Sequence, residues 1–218
     1  MHLYVIRHGE SLVNLPDWDG LDSDTPLSPL GEKQVEALAA WLPRHLPAVD
    51  AIYSSTLRRA KATSLPLGKA YGLDVLFDSR LIEIGGCHID HSPYPEGQFP
   101  ARANWTPTWP TTYPFVPTSN ADHSETWMHL RIRVATFIED VLTQRPDQTV
   151  IAVCHGGVTD AIFDYCFGIG PWRRCEVQIT NTGITHFEQC TMQDRPEIWR
   201  LHQHNLTEHL RVLESSTA

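Results

Sequence analysis

Residues 1–10 read Met1-His2-Leu3-Tyr4-Val5-Ile6-Arg7-His8-Gly9-Glu10, "MHLYVIRHGE". Leu3 to Ile6 is a continuous apolar run with β-branched members, the pattern of a strand covered on both faces rather than one washed by solvent. It stops abruptly at a guanidinium, an imidazole and a glycine. In open α/β sheets ligands bind outside the carboxyl ends of the strands, so this polar break is where a site belongs. Gly9 is expected to let a ligand approach the backbone.

The chain beyond it repeats the strand-then-helix rhythm. In "LSPLGEKQVEALAAWL" Ser28 reads as an N-cap, Pro29 as the first helical residue, and Val35, Leu38, Ala39 and Leu42 as a buried stripe. Ala51-Ile52-Tyr53 reads as a second strand. Leu57, Ala60 and Ser64 read as a second helix that Pro66 should break or restart, and Leu73 to Phe77 as a third strand. "ETWMHLRIRVATFIEDVL" suits a helix through Trp127, Leu130, Val134, Phe137, Ile138 and Val141. Thr149 to Val153 is another buried strand, running into Cys154-His155-Gly156-Gly157 and then the helical "VTDAIFDYCFG" with Gly168 as its stop. Ile184 to Glu188 and Ile198 to Leu201 supply two late strands. Strands alternating with helices imply an α/β sandwich with a largely parallel sheet.

Between Gly85 and about His123 the rhythm is lost. Prolines fall at 93, 95, 100, 107, 110, 114 and 117, interleaved with Tyr94, Phe99, Trp105, Trp109, Tyr113 and Phe115. So many aromatics argue for an ordered cap over the sheet, because disordered segments are aromatic-poor. The expectation is one domain over residues 1–218 with a cap inserted at about 85–123.

Bulk chemistry narrows the function. Seventeen Lys and Arg against 26 Asp and Glu give a net charge of −9, which disfavours nucleic acid and anionic membrane surfaces as partners. The first strand begins almost at Met1 and leaves no room for a signal peptide, and no apolar stretch is long enough to span a bilayer, so a cytoplasmic protein is expected. The five cysteines are odd in number, without a C-x-x-C pair, and read as reduced thiols, mostly core filler. His88-Ile89-Asp90-His91 and His202-Gln203-His204 lack a full ligand set at metal-binding spacing, so neither metal nor cofactor is expected.

Three strand ends carry polar motifs: Arg7-His8-Gly9, then Ser54-Ser55-Thr56-Leu57-Arg58-Arg59, then His155-Gly156-Gly157. Singly, an Arg-His pair is usually solvated surface, and H-G-G is often only a strand-to-helix turn. Together, two arginines, two histidines and a helix beginning just after Gly157 make an anion site, since helix N-termini present unpaired N–H groups. The forked guanidinium geometry matches a phosphoryl group.

At this point the sequence resembles the histidine phosphatase superfamily, the phosphoglycerate mutase-like proteins. The resemblance runs through "RHGESLVN", "PLSPLG", "YSSTLRRAKAT", "LIEIGG", "SETWMHLRIRV", "VCHGGV", "NTGITHFE" and "WRLHQHNLTEHL". It implies a three-layer α/β/α sandwich with a mixed, mainly parallel central sheet, and a metal-independent phosphoryl-transfer site. In that pattern His8 resembles the nucleophile that becomes phosphohistidine. Arg7, Arg59 and His155, with Gly156, resemble the phosphate-binding set, and Asn14 a polar contact on the substrate side. Glu83 in "LIEIGG" resembles the proton donor to the leaving oxygen. Arg58 is the neighbour that competes with Arg59, and the S-x-L-x-R register from Ser55 selects Arg59. Glu125 stands where relatives often carry G-E-S, but His123-Ser124 precedes it, which leaves its role open.

Adjacent arginines should keep the His8 imidazole neutral and nucleophilic, while fixed donors meet the charge on the transferring group. The resemblance covers hydrolases and mutases alike. Between Leu81 and Leu130 the only Arg or Lys is Arg102, against Glu83, Asp90, Glu96, Asp122 and Glu125, a poor lining for a multiply anionic mutase substrate. The expected activity is hydrolysis of a small phosphorylated metabolite. A mutase, and a non-catalytic module that binds phosphorylated ligands, are the alternatives.

Overall fold

A computed structural model describes residues 1–100, 125–172, 175–192 and 195–214. Much of the expected cap, including Arg102, Trp105, Trp109, Tyr113, Phe115 and Asp122, lies outside the described residues. One six-stranded sheet organises the rest. In chain order its strands are β1 (His2–Arg7), β2 (Ala51–Ser54), β3 (Val75–Phe77), β4 (Thr149–Cys154), β5 (Ile184–Met192) and β6 (Arg195–Leu206), and across the sheet they run β3-β2-β4-β1-β5-β6. The pairs β3-β2, β2-β4 and β4-β1 are parallel, and β1-β5 and β5-β6 antiparallel. The sheet is therefore mixed and mainly parallel, as expected.

Helices cover both faces. On one, α3 (Trp127–Gln144) and α4 (Gly156–Cys166) pack Trp127, Leu130, Val134, Phe137 and Ile162 against Leu3, Val5, Tyr53 and Ala152. On the other, α1 (Pro29–His45) and α2 (Arg58–Tyr71) pack Leu38, Leu42, Ala60 and Leu67 against Ile6, Ile52, Ile151 and Val153. Alternate residues of one strand thus enter opposite cores, which is why β1 and β4 carry unbroken apolar runs. A terminal turn, α5 (Arg211–Glu214), follows β6.

Local chemistry sets the helix ends. Ser28 Oγ accepts the Gly31 N–H at 3.0 Å with Pro29 beside it, and Thr126 caps α3 by accepting from His129. After α4, Gly168 turns left-handed (φ 59). Its N–H and that of Ile169 return to the Tyr165 and Asp164 carbonyls, the paired bonds of a Schellman stop.

Three readings of the sequence need correction. Pro66 does not break α2, which continues to Tyr71. Its ring costs roughly 3 kcal/mol inside a helix, but full burial of Leu67 next to it returns about 1.5–3 kcal/mol, and Ala60 and Thr63 are buried on the same helix. The third strand pairs only from Val75. The late strands are far longer than Ile184 to Glu188 and Ile198 to Leu201, because the antiparallel hairpin pairs polar residues such as His186 with Gln203 through its backbone. Gly9 has a packing reason that its sequence position does not disclose, since a Cβ there would stand 2.9 Å from the Gly31 carbonyl oxygen and 3.0 Å from Val35 Cγ2.

All five cysteines are free: Cys87 and Cys154 are buried, Cys166 and Cys190 half-buried and Cys175 exposed. Among the described residues no helix is long and apolar enough to cross a membrane, and no group of three or more His, Cys, Asp or Glu is placed to hold a metal ion.

Candidate active site

Sheet register brings the three motifs to one level. Val153 pairs with Ile6 on one side and Ser54 on the other, so Arg7-His8, Ser55 and His155 all leave the sheet together. The His8 N–H bonds the Cys154 carbonyl at 2.9 Å, and the Ser55 N–H the Val153 carbonyl at 2.9 Å. The backbone under the site is an extension of the ladder and inherits its rigidity.

His8 is 3% exposed. Its Nδ1 lies 2.7 Å from the Gly9 carbonyl oxygen, a partner that can only accept, so Nδ1 carries the proton. Nε2 is left with its lone pair, and Arg59 Nε donates to it at 3.1 Å. Burial first, then the Arg59 and Arg7 cations, hold this imidazole well below its ordinary range. A neutral ring with Nε2 presented is the form a nucleophile needs.

Arg59 occupies the first turn of α2, is 4% exposed, and is steadied by Nη1 donating to the Ser23 carbonyl at 2.7 Å. Burial lowers it to about 10, which leaves it charged at neutral pH. Its rival Arg58 points away, half-exposed, with its nearest carboxylate, that of Asp22, 4.0 Å off. Arg7 donates through Nη1 to the Ile179 carbonyl at 2.6 Å, while its buried Nε has no partner among the described residues. His155 caps α4, its ring centroid 5.0 Å from that of His8. Nε2 meets Ser55 Oγ at 2.8 Å, and buried Nδ1 has no partner among the described residues. Burial and then Arg59 depress this imidazole as well. A buried donor without an acceptor is costly, and a phosphoryl oxygen beside Arg7 would satisfy its Nε.

A cavity of about 550 Å³ opens over this floor, and Arg7, His8, Asn14, Arg59, Glu83 and Gly156 all line it. Asn14 accepts the Ser11 N–H and hydroxyl, each at 3.1 Å. Glu83 reaches in from the opposite side, its Oε1 accepting the Ile84 N–H at 2.9 Å and Oε2 the Gly157 N–H at 3.1 Å. Helix α4 begins at Gly156, two residues earlier than expected, and offers one of its first N–H groups to this carboxylate. Trp18, Ile84, Phe99, Val177 and Ile179 form apolar wall around the floor.

Two contributors have no role assigned from the sequence, although they open its "NTGITHFE" stretch. Asn181 Nδ2 donates to the His8 carbonyl at 3.0 Å, and the Thr182 N–H to the Arg7 carbonyl at 3.0 Å. They lie just before β5, with Thr182 left-handed (φ 59), and the sequence signals them only through that stretch of resemblance, which attaches no role to either. Glu125 is fully buried and outside the cavity wall.

Known proteins resemble this chain in sequence and fold. The family model of the histidine phosphatase superfamily (branch 1) matches residues 3–205. Phosphoserine phosphatase 1 of Hydrogenobacter thermophilus is 32% identical, over 77% of this chain and 76% of its own. Glucosyl-3-phosphoglycerate phosphatase of Mycobacterium tuberculosis is 31% identical, over 73% and 72%. A solved mycobacterial glucosyl-3-phosphoglycerate phosphatase, in complex with VO3, superposes with a TM-score of 0.68 at 25% identity, over 94% of this chain and 98% of its own.

Proposed function

The chain belongs to the histidine phosphatase superfamily, branch 1, and on that premise we propose that it is a phosphomonoesterase of small phosphorylated metabolites whose nucleophile is His8. The observation that carries this is the His8 imidazole itself: buried, proton fixed on Nδ1 by the Gly9 carbonyl, Nε2 turned to the Arg59 guanidinium.

In the first step the Nε2 lone pair forms a bond to phosphorus as the ester P–O bond breaks. Arg7, Arg59 and His155 meet the charge on the non-bridging oxygens, a type of contact worth about 3–4 kcal/mol per donor. The leaving oxygen takes a proton from the Glu83 carboxyl. In the second step water attacks phosphorus, its proton passes to the Glu83 carboxylate, the P–N bond breaks, and His8 and Glu83 return to their starting states. Every bond change uses groups of this chain and water, so no metal enters the balance. The phosphatase names of relatives more than 30% identical support hydrolysis, and the apolar wall suits a small organic leaving group.

The test is 4-nitrophenyl phosphate hydrolysis with a chelator present, together with rapid labelling by a phosphorylated substrate. We expect chelator-resistant turnover and an acid-labile, base-stable label, both abolished in His8→Ala. Activity that survives His8→Ala overturns the assignment, and isomerisation of phosphoglycerates faster than their hydrolysis replaces it with a mutase.

A further inference from the structure

Glu83 stands on a stretch without a sheet partner, between the short 3-10 helix Ser79–Leu81 and the left-handed Gly85 (φ 83). Such a segment would ordinarily wander by more than a general acid tolerates, since a misplacement of about 1 Å can cost roughly 10²-fold. What holds it comes from elsewhere in the chain. Arg133 Nε and Nη2 grip the two Glu125 oxygens, both at 2.8 Å, with both side chains fully buried. The pair also bonds the backbone of this stretch. Arg133 Nη1 donates to the Arg80 carbonyl at 2.7 Å and Nη2 to the Glu83 carbonyl at 3.3 Å, while Glu125 Oε1 accepts the Gly85 N–H at 2.8 Å. Backbone groups three residues before Glu83, on it, and two residues after it are tied to one rigid bidentate unit.

A buried ion pair is weak evidence for stability, because desolvation offsets most of its attraction and an apolar replacement is often neutral. Its distinctive product is direction. We propose that the Glu125–Arg133 pair is a positioning device for Glu83, so that proton delivery to the leaving oxygen depends on a salt bridge that never touches substrate. This rests on the reading of Glu83 as proton donor.

Leaving-group chemistry separates positioning from mere support. 4-Nitrophenolate is a stable anion and departs with little help, whereas an alkoxide must be protonated as it leaves. The value of kcat/KM for 4-nitrophenyl phosphate and for glycerol 2-phosphate should be measured on the same preparation of each variant. Their ratio is independent of how much of that preparation is folded, so a destabilised variant still reports. We expect Glu125→Gln to lower the alkyl ester by roughly 10–100-fold while the aryl ester changes by less than about threefold. Arg133→Lys, which keeps the cation but not the fork, should shift the ratio in the same sense. Glu83→Gln sets the full scale of the effect. If it shifts the ratio but the Glu125 and Arg133 variants lower both esters in parallel, the positioning role is overturned and the proton-donor reading stands. If Glu83→Gln leaves the ratio unchanged, the proton-donor reading fails and the positioning role with it.

Discussion

The two sides of the cavity are held in different ways. At the floor, Arg7, His8 and His155 leave adjacent parallel strands whose register is fixed over six consecutive pairs, and Arg59 sits in the first turn of a helix beside them. Glu83, across the cavity, lies on a stretch that pairs with no strand among the described residues, tied through Glu125 and Arg133 to the first half of α3. The floor inherits its geometry from the sheet, and the acid has to be given its geometry by side chains. Damage to the floor should therefore strike every substrate alike. Damage on the Glu83 side should be sorted by how much the leaving group needs a proton.

After loss of the nucleophile itself, the largest effect should come from Arg59→Ala. It removes a buried cation that donates to His8 Nε2 at 3.1 Å and is placed to meet the phosphoryl charge. Loss of one such donor costs roughly 10²–10³-fold in turnover, and the aryl and alkyl esters should fall together. Arg58→Ala is the internal control: a half-exposed side chain at 4.0 Å from its carboxylate contributes less than about 1 kcal/mol, so steady-state rates should stay near wild type. A larger loss from Arg58 than from Arg59 would reverse the register.

The floor also makes a prediction about pH. His8 and His155 are held well below the ordinary imidazole range, by burial first and by Arg59 next, and burial pushes His209 down to about 4. Below about pH 6.5 the unfolded chain binds protons at these rings, and the folded chain does not until it reaches the depressed values. Their stabilising contribution is complete above about pH 6.5 and is lost as pH falls, by up to about 1.4 kcal/mol per pH unit for each ring. Denaturant unfolding between about pH 7.5 and about pH 5 should show this slope, and His8→Asn should flatten it. An unflattened slope in that variant would mean that the fold does not hold His8 neutral.

The same division explains what the sequence discloses. The floor is legible because each of its motifs ends an apolar run, and a strand's end is a local property of a few residues. Ser28, Pro29 and Gly168 are legible because caps depend on single residues. Pro66 misleads because helix propensity is local, while the burial of Leu67 and its neighbours is decided by the sheet below. The reach of β5 and β6 is hidden because backbone pairing between polar residues such as His186 and Gln203 leaves no apolar pattern. The Glu125–Arg133 pair has a faint signal after all: Arg133 falls on the buried stripe of α3 with Leu130, Val134 and Phe137. A charge in that register demands a buried partner, and Glu125 lies eight residues before it.

Gly157 is where floor and acid meet, and altering it tests whether the two can be separated. A Cβ there would stand 2.4 Å from Glu83 Oε1 and 3.4 Å from Ile84 Cγ2. The first of these is the far end of a flexible side chain, so Glu83 yields while helix α4 keeps its place. The bond from the Gly157 N–H to Glu83 Oε2, 3.1 Å long, is then stretched or lost. Alanine is the better helix former by up to about 1 kcal/mol, so Gly157→Ala should hold or slightly raise thermal stability while misplacing the carboxyl. The expected outcome is a fall of about tenfold in kcat/KM for an alkyl ester with the aryl ester nearly spared, smaller than for Glu125→Gln because the backbone of the Glu83 stretch stays clamped. Equal losses on both esters would show that the added methyl disturbs the floor itself. No loss on either would show that the acid tolerates displacement, and that its anchorage need not be so strict.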